Sequence, residues 1–140
     1  MRAKRWWRRK RVLLPLLAAA ALTASTGVAF WRSGTSSIAV YNETGMRIPG
    51  MRLAACGQNH SFPEMPVDGS FRWRLAPVGS ESEIELETAG EPVIRWRGGY
   101  VEPRGGYRIT LRLWPDGQVE LHTQLSVWQR WFRGAPAIDE

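Results

Sequence analysis

The run Tyr107–Leu125, YRITLRLWPDGQVELHTQL, decides the fold class. Tyr107, Ile109, Leu111 and Leu113 alternate with Arg108, Thr110 and Arg112, a period of two that puts the apolar set on one face of a strand. Pro115-Asp116-Gly117 then supplies turn chemistry, because proline presets φ, aspartate bonds back to its own backbone and glycine accepts positive φ. Beyond it Val119, Leu121, Thr123 and Leu125 oppose Gln118, Glu120, His122 and Gln124. Two alternating runs across a tight turn make a β-hairpin.

The same pattern continues toward the N-terminus. Val93–Arg97 sets Ile94 and Trp96 against Arg95 and Arg97, and Glu81, Glu83, Glu85 and Glu87 alternate with Ser82, Ile84, Leu86 and Thr88. Phe71, Trp73 and Leu75 share a face opposite Arg72 and Arg74. His60–Met65 is cut by Pro63 and followed by Pro66, which confines it to a sheet edge. Met51–Cys56 and Ser37–Asn42 complete the series, separated by Asn42-Glu43-Thr44-Gly45 and Pro49-Gly50. Seven or eight short strands with no helical period among them predict an all-β domain over residues 38–125, a small antiparallel β-sandwich of immunoglobulin-like size. A small closed barrel is the alternative.

Ahead of this domain stands Val12–Trp31, VLLPLLAAAALTASTGVAFW, which carries no charge. At ~1.5 Å per residue a helix of this length reaches about 30 Å, the thickness of a bilayer core. Residues 1–11 form a basic tail with no acid, and only Arg32 lies close on the other side. That asymmetry predicts a signal-anchor helix over 12–31 with the tail in the cytoplasm, where Arg5, Arg8, Arg9, Lys10 and Arg11 meet anionic lipid. The β domain is then expected on the periplasmic side of a bacterial inner membrane, behind a short linker at 32–37. A cleaved signal peptide is the rival reading, with Gly27 and Ala29 placed for cleavage before Phe30.

The net charge of +6 belongs to the tail. Seven of the nineteen Lys+Arg lie in residues 1–11, which leaves twelve against thirteen acids in the rest of the chain. A nucleic-acid partner is therefore not expected. Cys56 is the single cysteine, so no intramolecular disulfide forms.

At the C-terminal end the period changes. Residues 126–140 begin an amphipathic segment in which Trp128, Trp131 and Phe132 share one side of a helical turn, edged by Arg130 and Arg133. These five residues are the predicted contact with membrane or with an envelope protein partner.

Catalytic chemistry finds little support. No nucleophile motif, phosphate loop or metal-ligand spacing is present, and His60, His122 and Cys56 stand apart. The carboxylates of Glu81, Glu83, Glu85 and Glu87 recur at ~6.5–7 Å along one strand, too far for two to chelate one ion, and are expected to pair with Arg72, Arg74, Arg95 or Arg97. The repeated Arg97-Gly98-Gly99-Tyr100 and Arg104-Gly105-Gly106-Tyr107 predict a bulge or a hairpin connection. The expected function is that of a non-enzymatic interaction or accessory module of the envelope, with no cofactor, metal or small-molecule substrate. The alternative is a secreted periplasmic module binding a glycan on an aromatic-lined sheet face, through Trp73, Trp96 and Trp114.

Overall fold

Eight strands form in the computed structural model, which describes residues 14–28 and 34–126 of the chain. They are β1 (Ser37–Asn42), β2 (Gly50–Ala55), β3 (Gln58–Phe62), β4 (Ser70–Arg74), β5 (Ser82–Ala89), β6 (Arg95–Val101), β7 (Tyr107–Leu113) and β8 (Val119–Leu125). They build two four-stranded sheets, ordered β4-β1-β7-β8 and β3-β2-β5-β6, in a sandwich-like arrangement.

Local chemistry makes the hairpins. Between β2 and β3 the two connecting residues Cys56 and Gly57 both take positive φ, 56° and 71°, the twist that suits a two-residue hairpin. Between β7 and β8 the Gly117 N–H donates to the Trp114 carbonyl at 3.0 Å, and the Gln118 N–H donates to Asp116 Oδ1 at 3.1 Å. Pro-Asp-Gly thus acts as its residue types predict. Gly99 is the extra residue of a bulge, since Ile84 pairs with Gly98 and Glu83 with Tyr100. Its φ is +62°, and the missing side chain leaves room for Leu121. The second Arg-Gly-Gly copy lies in the β6–β7 turn, where the Gly105 N–H donates to the Glu102 carbonyl at 3.1 Å.

The expected all-antiparallel arrangement needs one correction. β1 inserts between β4 and β7, antiparallel to the first and parallel to the second. Its two neighbours are distant in sequence, so their direction is set by how the chain crosses between sheets and not by any turn. The expected strand at 93–97 also shifts, because Ile94 is held in the connection by Thr88, whose Oγ1 accepts the Ile94 N–H at 2.7 Å.

Inward-facing alternation fills the core. Ile38, Val40, Leu53, Ile84 and Leu111 have no exposed surface, and Trp73 is buried beside them at 9% exposure. Along the β3–β4 side His60 stacks on Trp73 at 5.7 Å between ring centroids, and Phe62 on Phe71 at 4.8 Å. Trp96 is only half-buried, packed against the rim of the core from the edge strand β6. Buried Trp73 removes most of a large apolar surface from water; Trp96 removes less.

Polar knots close the two ends. At one end the buried Ser36 donates its N–H to the Pro103 carbonyl at 2.9 Å, and its carbonyl accepts the Leu75 N–H at 3.0 Å. Its hydroxyl donates to the Glu102 carbonyl and accepts the Tyr107 N–H at 3.1 Å. Thr35, Ser36 and Ser37 are all buried, so the chain is folded against the sandwich from Thr35 on. At the other end buried Asn42 ties together Thr44, Met46 and Pro66.

Residues 14–28 form a helix in a separate compact unit. Its Leu14, Leu16, Leu17 and Leu22 are each more than 60% exposed. Thr23 and Thr26 return their hydroxyl protons to carbonyls one turn back, Ala19 and Leu22, which lets a polar side chain sit in an apolar helix. Fifteen residues reach about 22 Å, short of a ~30 Å hydrocarbon core. The spanning helix expected over 12–31 therefore receives a correction: among the described residues no helix is long and apolar enough to cross a membrane. Residues 12–13 and 29–31 lie outside the described residues.

Candidate functional site

The outer faces of the two sheets carry opposite solutions to the same problem, a strand face full of charge. On the β3-β2-β5-β6 sheet the cross-strand register sets Glu85 opposite Arg97 and Glu87 opposite Arg95. Arg97 Nε reaches Glu83 at 2.6 Å and Glu85 at 3.6 Å, and Arg95 Nε reaches Glu87 at 3.0 Å. These groups are half or more exposed, so each pair contributes a few tenths of a kcal/mol at most and chiefly holds register. The carboxylate row is thus taken up by Arg95 and Arg97. A depression of about 540 Å³ runs over this face, lined by Arg52, Ala54, Glu85, Glu87, Arg95 and Trp96; Arg95 and Arg97 are paired with the glutamates, and Arg52 donates to Asn59 Oδ1 at 2.9 Å.

The β4-β1-β7-β8 sheet has no such zipper. Register places Arg74 and Arg108 on either side of Ser37, Arg72 and Thr110 on either side of Ala39, and Ser70 and Arg112 on either side of Tyr41. β8 adds Gln124, His122 and Glu120 beyond β7. Four arginines therefore face outward against one strand carboxylate, Glu120. Arg112 reaches Glu43 at 3.7 Å, whereas no carboxylate pairs with Arg72, Arg74 or Arg108 among the described residues. The floor between the arginines is made of small side chains, Ser37 and Ala39, and a depression of about 270 Å³ opens beside them at Ala39, Tyr41, Ser70, Phe71 and Arg72.

Electrostatics agrees with the geometry. Arg108 is half-buried, and burial pulls its guanidinium below the ordinary arginine value, with the positive charges of Arg74 and Arg72 adding to the shift. Its Nη1 donates to the Thr35 carbonyl at 2.7 Å, which fixes it at the end of the sheet where the chain enters. On β8 Glu120 accepts from His122 Nε2 at 2.9 Å along the same strand, and from Trp114 Nε1 in the β7–β8 turn at 3.3 Å. The His122 contact is the main cause holding its carboxyl below the usual range.

Other candidates from the sequence disperse. Cys56 is a free, buried thiol whose Sγ donates to the Val101 carbonyl at 3.3 Å, and burial pushes its pKa up. That makes it a poor nucleophile. No group of three His, Cys, Asp or Glu suited to a metal ion occurs among the described residues. Trp73 faces the core, Trp96 lies at the rim of the other sheet and Trp114 stands in the β7–β8 turn, so the three tryptophans line no common face. Trp128, Arg130, Trp131, Phe132 and Arg133 lie outside the described residues, as do Arg5, Arg8, Arg9, Lys10 and Arg11. The Arg72, Arg74, Arg108 and Arg112 group was not foreseen. Each was legible as outward-facing on its own strand, and only the insertion of β1 between β4 and β7 brings the four together.

No family model matches the chain, and no curated protein matches it. Among solved structures it is similar to a protein from Eubacterium rectale determined by NMR, at 14% identity and a TM-score of 0.45, over 67% of this chain and 92% of that one. It is also similar to a structure described as a trapped toxin, at 8% identity and a TM-score of 0.39, over 65% of this chain and 24% of that one, so it spans about a quarter of that protein. Likenesses of this size carry no argument about what the chain does.

Proposed function

We propose that the chain is a membrane-tethered, extracytoplasmic β module of the bacterial cell envelope that works by docking and not by catalysis. The observation that carries this reading is the convergence of the sandwich's two chain ends. Thr35–Ser37 lead into β1 and Ser126 leaves β8 at the same end, both bonded to the β6–β7 connection through Pro103 and Gly106. The apolar run 12–31 joins the first of these points and the aromatic segment 126–140 the second. A bilayer holding the run would thus find Trp128, Trp131, Phe132, Arg130 and Arg133 within reach of its headgroups. The exposed leucines of the 14–28 helix add support, since lipid would cover what water does not favour.

The shortness of that helix favours a second reading, in which residues 1–29 are a cleaved signal and the module is released. Its glycan-binding form loses support, because Trp73, Trp96 and Trp114 share no face. The test is expression in a bacterial envelope followed by alkaline extraction and intact-mass measurement. A full-length species in the extracted membrane pellet, with the sandwich open to protease from outside, is expected. A soluble species beginning at Phe30 would overturn the tether.

A further inference from the structure

We infer that the outer face of the β4-β1-β7-β8 sheet is a docking surface for an anionic phospholipid bilayer, gripped by Arg72, Arg74, Arg108 and Arg112. This rests on the tethered reading above and adds to it the surface and its partner chemistry. Charge comes first. Neighbouring strands lie ~4.8 Å apart, so β4 and β7 carry two arginine rails about 10 Å apart with Ser37, Ala39 and Tyr41 of β1 between them. Along β4 the Cα atoms of Arg72 and Arg74 recur at ~7 Å. A guanidinium is a planar fork suited to phosphodiester oxygens. Arg72 and Arg74 are exposed, Arg108 keeps Nη1 on the Thr35 carbonyl at 2.7 Å, Arg112 reaches Glu43 at 3.7 Å, and none of Arg72, Arg74 and Arg108 has a carboxylate of its own among the described residues. On the opposite sheet Glu83, Glu85 and Glu87 are met by Arg95 and Arg97, and Arg52 is the one outward strand arginine there without a carboxylate among the described residues.

Continuity selects the bilayer over a soluble acid. The linker that follows the apolar run enters this sheet, through Thr35 on Arg108 and Ser37 between Arg74 and Arg108. The aromatic segment leaves the same sheet, from β8. Because the chain is folded onto the sandwich from Thr35 on, only residues 32–34 remain as linker, at most ~11 Å of chain, so a tethered domain meets the headgroup plane at a high effective concentration that no free partner shares. A plane of phosphates also offers one anion to each of four arginines at once.

The test uses the full chain with Cys56→Ser and one nitroxide-labelled cysteine, Thr110→Cys on this face or Ala54→Cys on the other. It is reconstituted in phosphatidylcholine vesicles with or without about one-third phosphatidylglycerol. Adding the anionic lipid is expected to cut collisions of the label at position 110 with a water-soluble relaxant several-fold and to leave position 54 unchanged. Salt at ~1 M restores them. Arg72→Gln/Arg74→Gln, which removes exposed groups with no carboxylate partner among the described residues, lowers the docked-to-free ratio about thirtyfold at ~1 kcal/mol per arginine, whereas Arg95→Gln/Arg97→Gln does not. Equal exposure of position 110 in both vesicles overturns the proposal and is what a surface for an acidic protein would give. Equal release by the two double variants overturns it as well, showing net charge and not this face at work. Flotation with pure phosphatidylcholine reads the tether alone. A chain that floats only with anionic lipid, and loses this with Arg72→Gln/Arg74→Gln, keeps the face and loses the anchor. One that floats in both with position 110 free keeps the anchor and loses the face.

Discussion

Asn42 is the side chain whose replacement should speak most clearly. It ends β1 with no exposed surface, and all its hydrogen-bonding sites are used. Nδ2 donates to the Met46 carbonyl at 2.8 Å and to the Pro66 carbonyl at 2.9 Å. Oδ1 accepts the Thr44 N–H at 3.2 Å and the Thr44 hydroxyl at 2.7 Å. Asn42→Ala removes all four. The Thr44 hydroxyl retains the Met46 carbonyl at 3.1 Å and the Pro66 carbonyl retains the Gly69 N–H at 3.0 Å, but the buried Thr44 N–H loses its Asn42 acceptor. At ~1 kcal/mol net per bond, with a further penalty for a polar group left dry, the cost is about 3–5 kcal/mol, a large share of the ~5–15 kcal/mol that holds a small domain. Asn42→Asp is the sharper probe. It is isosteric and keeps the acceptors, yet it aims a carboxylate oxygen at two carbonyls. Burial and those dipoles raise the folded-state pKa of the new carboxyl above its unfolded value. Stability relative to the parent is then best below the unfolded pKa, at about pH 4, and falls as pH rises through the folded value. Urea denaturation of parent, Asn42→Ala and Asn42→Asp across that range measures both effects. An alanine variant within ~1 kcal/mol of the parent, or an aspartate variant that tracks the parent at every pH, would refute the reasoning.

Three further outcomes are expected. Trp73→Ala should cost about 3–5 kcal/mol and the half-buried Trp96→Ala clearly less, read as a difference in denaturation midpoint at constant slope. Gly99→Ala meets both a positive φ and the Leu121 methyl 2.9 Å from the new Cβ, whereas Gly117→Ala meets the φ alone; the first should cost about 1 kcal/mol more, and Leu121→Ala in the same chain should recover part of the difference. The Glu120 carboxyl, held down first by His122, should titrate below an ordinary glutamate in carboxyl-resolved NMR and move up in His122→Ala. Because its folded pKa is depressed, any stability it contributes is present above the unfolded glutamate value and lost as pH falls through the folded one.

Strand existence was legible and strand partnership was not. Period two names the residues that share a face, so Ile38 and Val40, Leu53, Ile84 and Leu86, and Ile109, Leu111 and Leu113 could be read as core from their spacing alone. Hairpins were legible too, since a turn fixes the register of the strands it joins: Glu85 and Glu87 meet Arg97 and Arg95 across the β5–β6 hairpin. Arg72 and Arg74 precede the same glutamates by as short a stretch, and they were expected to share the pairing. They do not, because the connection from β4 to β5 crosses from one sheet to the other. Nothing in its Pro77-Val78-Gly79-Ser80 composition separates a crossing from a turn-back. The parallel β1–β7 pair was hidden for the same reason, its partners being far apart in sequence.

That hidden pairing changes what the charge of the domain means. Outside the basic tail, twelve positives stand against thirteen acids, and an even balance argues against a polyanionic partner only if the charges mix. They do not mix. β5 gathers three outward carboxylates and spends them on Arg95 and Arg97, while β4 and β7 present four arginines with Glu120 and Glu43 as nearby acids. Screening acts over ~8 Å at physiological ionic strength, so an approaching phosphate responds to the face it meets and not to the sum over the molecule. A chain whose folded part is nearly neutral thus presents one strongly cationic surface. That surface belongs to the sheet that takes in the linker and gives out the aromatic segment, which is why composition pointed to the tail alone and the topology points to this sheet as well.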